Sequence, residues 1–253
     1  MDKKLITSKL EQLKLNGALQ AFEHQCGTTT YHKLDFETRF GEILDSQLVF
    51  NSEKRIKTLL KQAKLRYPNT FISDINYELY PSLKPSQVSQ LATSDWIKAH
   101  HHLLIIGPTG MGKTTLACAI AQEAIKQHIP VLFYRLSTLF LDLVAAQKEE
   151  KLKQFLRKMN RAPLLILDDW GNALMGKGER HLFFELIESR DLNSSLLITS
   201  QYPVSTWHES FQDSTIADSV LDRVVHNAHK IELKGESIRK LKRITDEGDY
   251  DEH

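Results

Sequence analysis

Residues 103–106, Leu-Leu-Ile-Ile, lead without a polar break into Gly107-Pro108-Thr109-Gly110-Met111-Gly112-Lys113-Thr114, and a helix-forming stretch follows to about Gln127. An apolar strand, a glycine turn and a helix in that order constrain the fold more than any other part of the chain. A buried strand must aim the turn, and the helix N-terminus gives it a positive end. Gly107 and Gly112 permit backbone angles and close approach that a Cβ would obstruct. Backbone N–H groups around Gly110, Met111 and Gly112 can then converge on phosphate oxygens. Lys113 is spaced to reach β- and γ-phosphates, and the Thr114 hydroxyl to reach a Mg²⁺ ion. With Pro108, Thr109 and Thr115 completing the loop, the expected ligand is ATP with Mg²⁺.

From His102 onward strands alternate with helices. Val131–Tyr134, Leu164–Leu167, Leu196–Thr199 and Lys230–Leu233 read as further strands. The segments 137–159, 179–190 and 216–225 read as helices. Continuous apolar strands separated by helices predict an α/β fold with a parallel five-stranded sheet covered on both faces. Asp168 and Asp169 end the third strand, at the carboxyl edge where open α/β sheets bind ligands. There Asp168 would act on Mg²⁺, directly or through water, and Asp169 on the attacking water; the bland alternative is a pair of helix-capping carboxylates. The strand at 131–134, placed between the glycine-loop strand and the aspartate strand, separates hydrolases with an acidic catalytic residue from simpler kinase-like folds. Thr199-Ser200-Gln201 ends the fourth strand, so Gln201, with Thr199 second, is the candidate γ-phosphate sensor. Arg223 either reaches a neighbouring subunit's γ-phosphate or pairs with Asp222, and Arg239 is a candidate second sensor in cis.

The N-terminal region differs. Helical spacing runs from about Asp2 to Cys26 and from Asp35 to about Arg66, with a break expected at Asn51-Ser52 and a stop at Tyr67-Pro68. The expected organisation is a small all-helical domain at 1–68, the α/β domain at 69–245 and an acidic, disordered tail at 246–253. Lys54, Arg55, Lys57, Lys61, Lys64 and Arg66 crowd one helix against Glu53 alone, and the first five suit backbone contacts to DNA or, more blandly, a solvated face. A formal net charge of +1 rules out a uniformly basic coat but leaves room for such a patch. Two cysteines, Cys26 and Cys118, exclude a disulfide framework and fit a reducing cytoplasm, with Cys118 expected in the core. No apolar run approaches membrane-spanning length, so no membrane partner is expected. Adjacent histidines such as His100-His101-His102 do not converge as metal ligands and are read as loop or strand edge.

The glycine loop, Leu164–Trp170 with its aspartate pair, Thr199–Pro203, Asp213–Arg223 and Lys234–Arg239 together resemble the IstB-type insertion-sequence ATP-binding proteins. The run Leu13-Lys14-Leu15-Asn16-Gly17-Ala18 is similar to that family's opening helix. The resemblance covers most of the chain, and the later segments are more specific than the glycine loop. It implies an AAA+ ATPase related to DnaC-type helicase loaders. It further implies assembly with other copies, as a ring or spiral, on double-stranded DNA in ATP, and assistance to a partner transposase in target selection, with hydrolysis resetting the assembly. Many AAA+ proteins carry Asp-Glu where this chain has Asp168-Asp169, although Asp-Asp is common in this subfamily; the shorter carboxylate implies slow hydrolysis, which suits a switch. A helicase loader with the same engine is the alternative. A small-molecule kinase is disfavoured by the water-orienting Asp169.

Overall fold

The computed structural model describes residues 2–172, 175–235 and 237, and it divides into two compact units, one of residues up to Thr58 and one from Leu59 onward. Arg239 and residues 246–253 lie outside the described residues.

The first unit contains α1 (Lys3–Gln12), α2 (Asn16–Gly27) and the greater part of α3 (Phe36–Ala63). The expected single helix to Cys26 is two. Lys14 turns left-handed at φ +58, and the Leu15 N–H reaches back to the Leu10 carbonyl at 2.9 Å, closing α1 with a six-to-one bond. At Gly17, α2 lies so close to α3 that a Cβ would meet Phe50 Cβ and the Ser46 carbonyl, each at 2.6 Å. Beside it Gln47 accepts a bond from the Ala18 N–H at 3.0 Å. The expected break at Asn51-Ser52 is absent. Asn51 accepts from Gln47 Nε2 at 2.8 Å, and the Ser46 and Thr58 hydroxyls donate to carbonyls four residues back. Polar groups that could have pulled the backbone out of the helix are satisfied along it instead.

The second unit adds α4 (Pro85–Ala92), α5 (Asp95–Lys98), β1 (His102–Ile106), α6 (Lys113–Lys126), β2 (Val131–Arg135), α7 (Leu136–Lys148), α8 (Leu152–Asn160), β3 (Leu164–Trp170), α9 (Lys177–Arg190), β4 (Ser195–Ser200), α10 (Ser214–Val225) and β5 (Ala228–Glu232). All strands pair in parallel in the order β2-β3-β4-β1-β5, as the alternating pattern predicts. β1, β3 and β4 are buried along nearly their whole length, which is why they read as unbroken apolar runs. α6 buries Leu116, Ala117, Cys118, Ala119, Ile120 and Ala121. A second core, centred on Trp170, Phe183, Trp207 and Phe211, includes buried residues of α7, α9 and α10. The expected helix 137–159 is broken into α7 and α8. Glu150 is left-handed at φ +57, and the Lys151 N–H bonds the Ala146 carbonyl at 2.8 Å, the closure already seen at Lys14.

Candidate nucleotide site

The carboxyl ends of the strands, the glycine loop and the segment after α3 surround a cavity of about 380 Å³. Thr109, Gly110, Gly112, Lys113, Thr114, Thr115, Asp169 and Gln201 line it, as the sequence pattern requires. Gly107 and Pro108 form the loop's entry, and Met111 is fully buried, so only its backbone can serve a ligand. Gly112 is left-handed at φ +71, and a Cβ there would strike the Tyr80 hydroxyl. Glycine is therefore needed twice at this position, for conformation and for space. Lys113 is 8% exposed and donates to the carbonyls of Gly107 at 2.7 Å and Pro108 at 2.9 Å. These are neutral acceptors that a phosphate would replace with charged ones.

Asp168 is completely buried. Its Oδ1 accepts from the Thr114 hydroxyl at 2.7 Å and the Thr199 hydroxyl at 2.6 Å. Among the described residues its Oδ2 has no hydrogen-bond partner, and it faces the Arg66 guanidinium at 3.7 Å. A buried carboxylate oxygen without a donor, beside a threonine hydroxyl at a helix start, fits a hard cation with oxygen ligands. Thr114 and Asp168 are the residues that would hold Mg²⁺.

A bulge in β3 presents the next residue. Leu167 pairs with Ile198 and Trp170 with Ser200, so three steps on β3 span two on β4. Leu165, Leu167 and Trp170 all join one core cluster, although strict alternation would have placed residue 169 there. The extra residue is Asp169, left-handed at φ +66. Burying the Trp170 ring, 4.8 Å from Trp207, resets the parity and leaves Asp169 on the cavity wall. Its backbone N–H bonds Thr199 Oγ1 at 3.1 Å, and its carboxylate pairs with Arg135 Nε at 3.0 Å.

Gln201 and Thr199 do different things. Gln201 lines the cavity, accepting from Thr109 Oγ1 at 2.7 Å and donating to Asn172 Oδ1. Thr199 is buried and connects Asp168 to the Asp169 backbone. Arg223 does not line the cavity. On α10 it donates to the Ser219 carbonyl at 2.8 Å and faces Asp191 at 3.5 Å and Glu188 at 4.0 Å, rather than pairing with Asp222. Lys54, Arg55, Lys57 and Lys61 are exposed on α3, whereas Lys64 lies one residue beyond its end at φ +52.

Sequence reasoning missed Tyr67, Tyr80, Arg135 and Asn172 and read Arg66 only as part of the basic helix; all five line the cavity. Arg135 carried a usable signal, since it closes a strand at the ligand-binding edge of a parallel sheet. Elsewhere, Cys118 is a core residue whose thiol is pushed up to about 11 by burial. His102 accepts the Leu196 N–H at Nδ1 (3.1 Å), and burial lowers its pKa to about 4. His101 contacts His229 at 3.3 Å, and among the described residues no cluster of histidine, cysteine or carboxylate could hold a metal.

Comparison with known proteins agrees with this geometry. The family model described as IstB-like ATP binding protein matches residues 8–245. An insertion-sequence ATP-binding protein of Sinorhizobium fredii is 36% identical over 235 residues, covering 93% of this chain and 96% of the relative. The ATP-binding protein of insertion sequence IS1162 from Pseudomonas fluorescens is 37% identical, covering 79% of this chain and 86% of that one. Among solved structures, the DnaC helicase loader superposes with a TM-score of 0.51 at 22% identity, over 59% of this chain and 88% of that one. AMPPCP-bound DnaA from Aquifex aeolicus gives 0.58 at 17% identity, over 75% and 57%. These likenesses establish the fold, an α/β core with a five-stranded parallel sheet shared with the DnaC loader and DnaA, and no helix among the described residues is long and apolar enough to cross a membrane. A phosphate loop, a buried aspartate against its threonine and a match over nearly the whole chain lead to one assignment: this chain belongs to the IstB family of insertion-sequence ATP-binding proteins.

Proposed function

We propose that the chain hydrolyses ATP as a switch on double-stranded DNA, serving the transposase of its insertion sequence. The observation that carries hydrolysis is the placement of Asp169, which the β3 bulge puts on the same cavity wall as Lys113, beside the buried Asp168–Thr114 pair. Lys113 would leave its two carbonyl acceptors for the β- and γ-phosphates. Asp169 would take the proton of the attacking water as its oxygen bonds to the γ-phosphorus and the bond to ADP breaks. Bound Mg²⁺ supplies charge neutralisation of the phosphates. Gln201, tied to Thr109 in the glycine loop, would report whether the terminal phosphate is present. Arg223, held by Ser219, Asp191 and Glu188, would serve a neighbouring copy's γ-phosphate in a ring or spiral; the cis nucleotide contact proposed for Arg239 rests on the sequence alone.

The DNA reading rests on Lys54, Arg55, Lys57, Lys61 and Lys64, none of which makes an ion pair among the described residues, so each is available to a phosphate. Such contacts bind without reading sequence and weaken steeply with salt. The test is retention of duplex DNA by the purified protein at low salt, with and without ATP, alongside phosphate release. ATP-dependent retention, a shallower salt slope in Lys57→Ala/Lys61→Ala, and loss of phosphate release in Asp169→Asn are expected. ATP binding without any ATP-dependent retention of DNA refutes the reading.

A further inference from the structure

We propose that Arg66 is a resident counter-cation of the metal carboxylate, holding Asp168 while the pocket is empty and giving way when a divalent ion enters. The inference rests on the nucleotide-site reading above and assigns a role to a residue outside the glycine loop and both aspartates.

Asp168 has no exposed surface, so its ionised form must be balanced inside the protein. Two threonine hydroxyls satisfy Oδ1. Oδ2 receives no hydrogen bond among the described residues, and the charged group facing it is the Arg66 guanidinium at 3.7 Å, beyond hydrogen-bond reach but within ion-pair range. That separation marks a loose partner. The guanidinium stands where it neutralises charge without spending its donors on the oxygen, and its side chain remains 38% exposed. It also lies over the Tyr67 ring at 5.5 Å, a contact that does not depend on the carboxylate. Arg66 and Tyr67 both line the cavity that holds Lys113 and Thr114.

Metal entry is therefore an exchange of cations. With a divalent ion held by Asp168 and Thr114, Arg66 would no longer be needed to balance the carboxylate and would be free to face phosphates. Arg135 offers the neighbouring Asp169 a tighter version of the same balance, at 3.0 Å.

The test uses the full-length protein without nucleotide and Mn²⁺ as the probe, with free Mn²⁺ read by electron paramagnetic resonance. Removing Arg66 removes the competitor. Coulomb attraction at this distance, even fully screened by water, corresponds to roughly fivefold or more. Arg66→Gln is accordingly expected to bind Mn²⁺ at least about fivefold more tightly than the wild type, Arg66→Lys near wild type, and Asp168→Asn not at all. Equal or weaker binding by Arg66→Gln overturns the proposal. If Arg66→Gln does not fold, the same pairing is read from stability, because removing one partner leaves a buried charge uncompensated. Arg66→Gln/Asp168→Asn must then recover the folded state in EDTA, and failure to recover it overturns the proposal equally. Titration of the wild type with a fluorescent ATP analogue separately checks the nucleotide site, so the two readings fail independently.

Discussion

Thr199→Val is the sharpest probe of how the aspartate pair is held. Valine keeps the shape of threonine and removes only the hydroxyl. That hydroxyl is buried, donates to Asp168 Oδ1 at 2.6 Å and accepts from the Asp169 N–H at 3.1 Å. The first bond goes to a charged group and is worth about 1.5–3 kcal/mol; leaving the second donor without an acceptor costs about 1–3 kcal/mol. Asp168 keeps its Thr114 bond and the facing Arg66, so the sum falls short of the upper limits, at about 2.5–4 kcal/mol. With a urea slope of about 2 kcal/mol/M, the unfolding midpoint should drop by roughly 1–2 M. Thr199→Ser keeps the hydroxyl and loses one methyl group, costing about 0.8 kcal/mol. Urea unfolding followed by circular dichroism, run beside an ATP-analogue titration and a phosphate-release assay, compares the two. The valine variant should bind nucleotide within a few fold of wild type yet hydrolyse it far more slowly, since the bulge carrying Asp169 loses its anchor. Midpoints for valine and serine within about 0.3 M of one another, a fraction of the shift expected from the urea slope, would refute the bridging role.

Two further outcomes follow from geometry already described. Gly112→Ala must place a Cβ at φ +71 against the Tyr80 hydroxyl, and the left-handed conformation alone costs about 1–2 kcal/mol. Nucleotide affinity should fall at least about tenfold by fluorescence titration, and Tyr80→Phe in the same chain should restore part of it; an alanine variant that binds normally contradicts the loop geometry. His102 is held neutral, with its pKa lowered to about 4 by burial, so it takes up a proton more readily unfolded than folded. Its contribution is complete above about pH 6.5 and is lost as pH falls towards 4, on the order of 3 kcal/mol in all. Unfolding measured across that window should lose this slope in His102→Asn, and an unchanged slope would place the titration elsewhere.

The glycine loop and the aspartate pair were legible because their chemistry leaves few residue choices at fixed spacing. Asp168 and Lys113 end up where the pattern puts them. The helix breaks were not legible. Lys14 and Glu150 are left-handed, and each ends its helix with a six-to-one bond, yet neither is the glycine or asparagine that usually advertises such a cap. Tertiary packing sets those ends, and a single-sequence pattern cannot register it. The places of Arg66 and Tyr80 in the site were invisible for a related reason. Tyr80 comes from the connector before β1, where no periodicity fixes which side chain turns towards the loop, and Arg66 lies just past a helix that was expected to include it but ends at Ala63.

The bulge at Asp169 also bears on which acid can stand there. A carboxylate can be brought to the same water by a longer side chain on a regular strand or by a shorter one on a strand displaced outward. This chain follows the second route, and its backbone makes the choice hard to reverse. At φ +66 aspartate is far better tolerated than glutamate, whose longer side chain gives no local hydrogen bond to the backbone. Lengthening Asp169 to glutamate would therefore strain the backbone and overshoot the cavity together, unless Trp170 gave up its seat against Trp207 and the strand resumed its alternation. The identity of the acid and the packing of the tryptophan behind it are one decision, to be altered jointly or not at all.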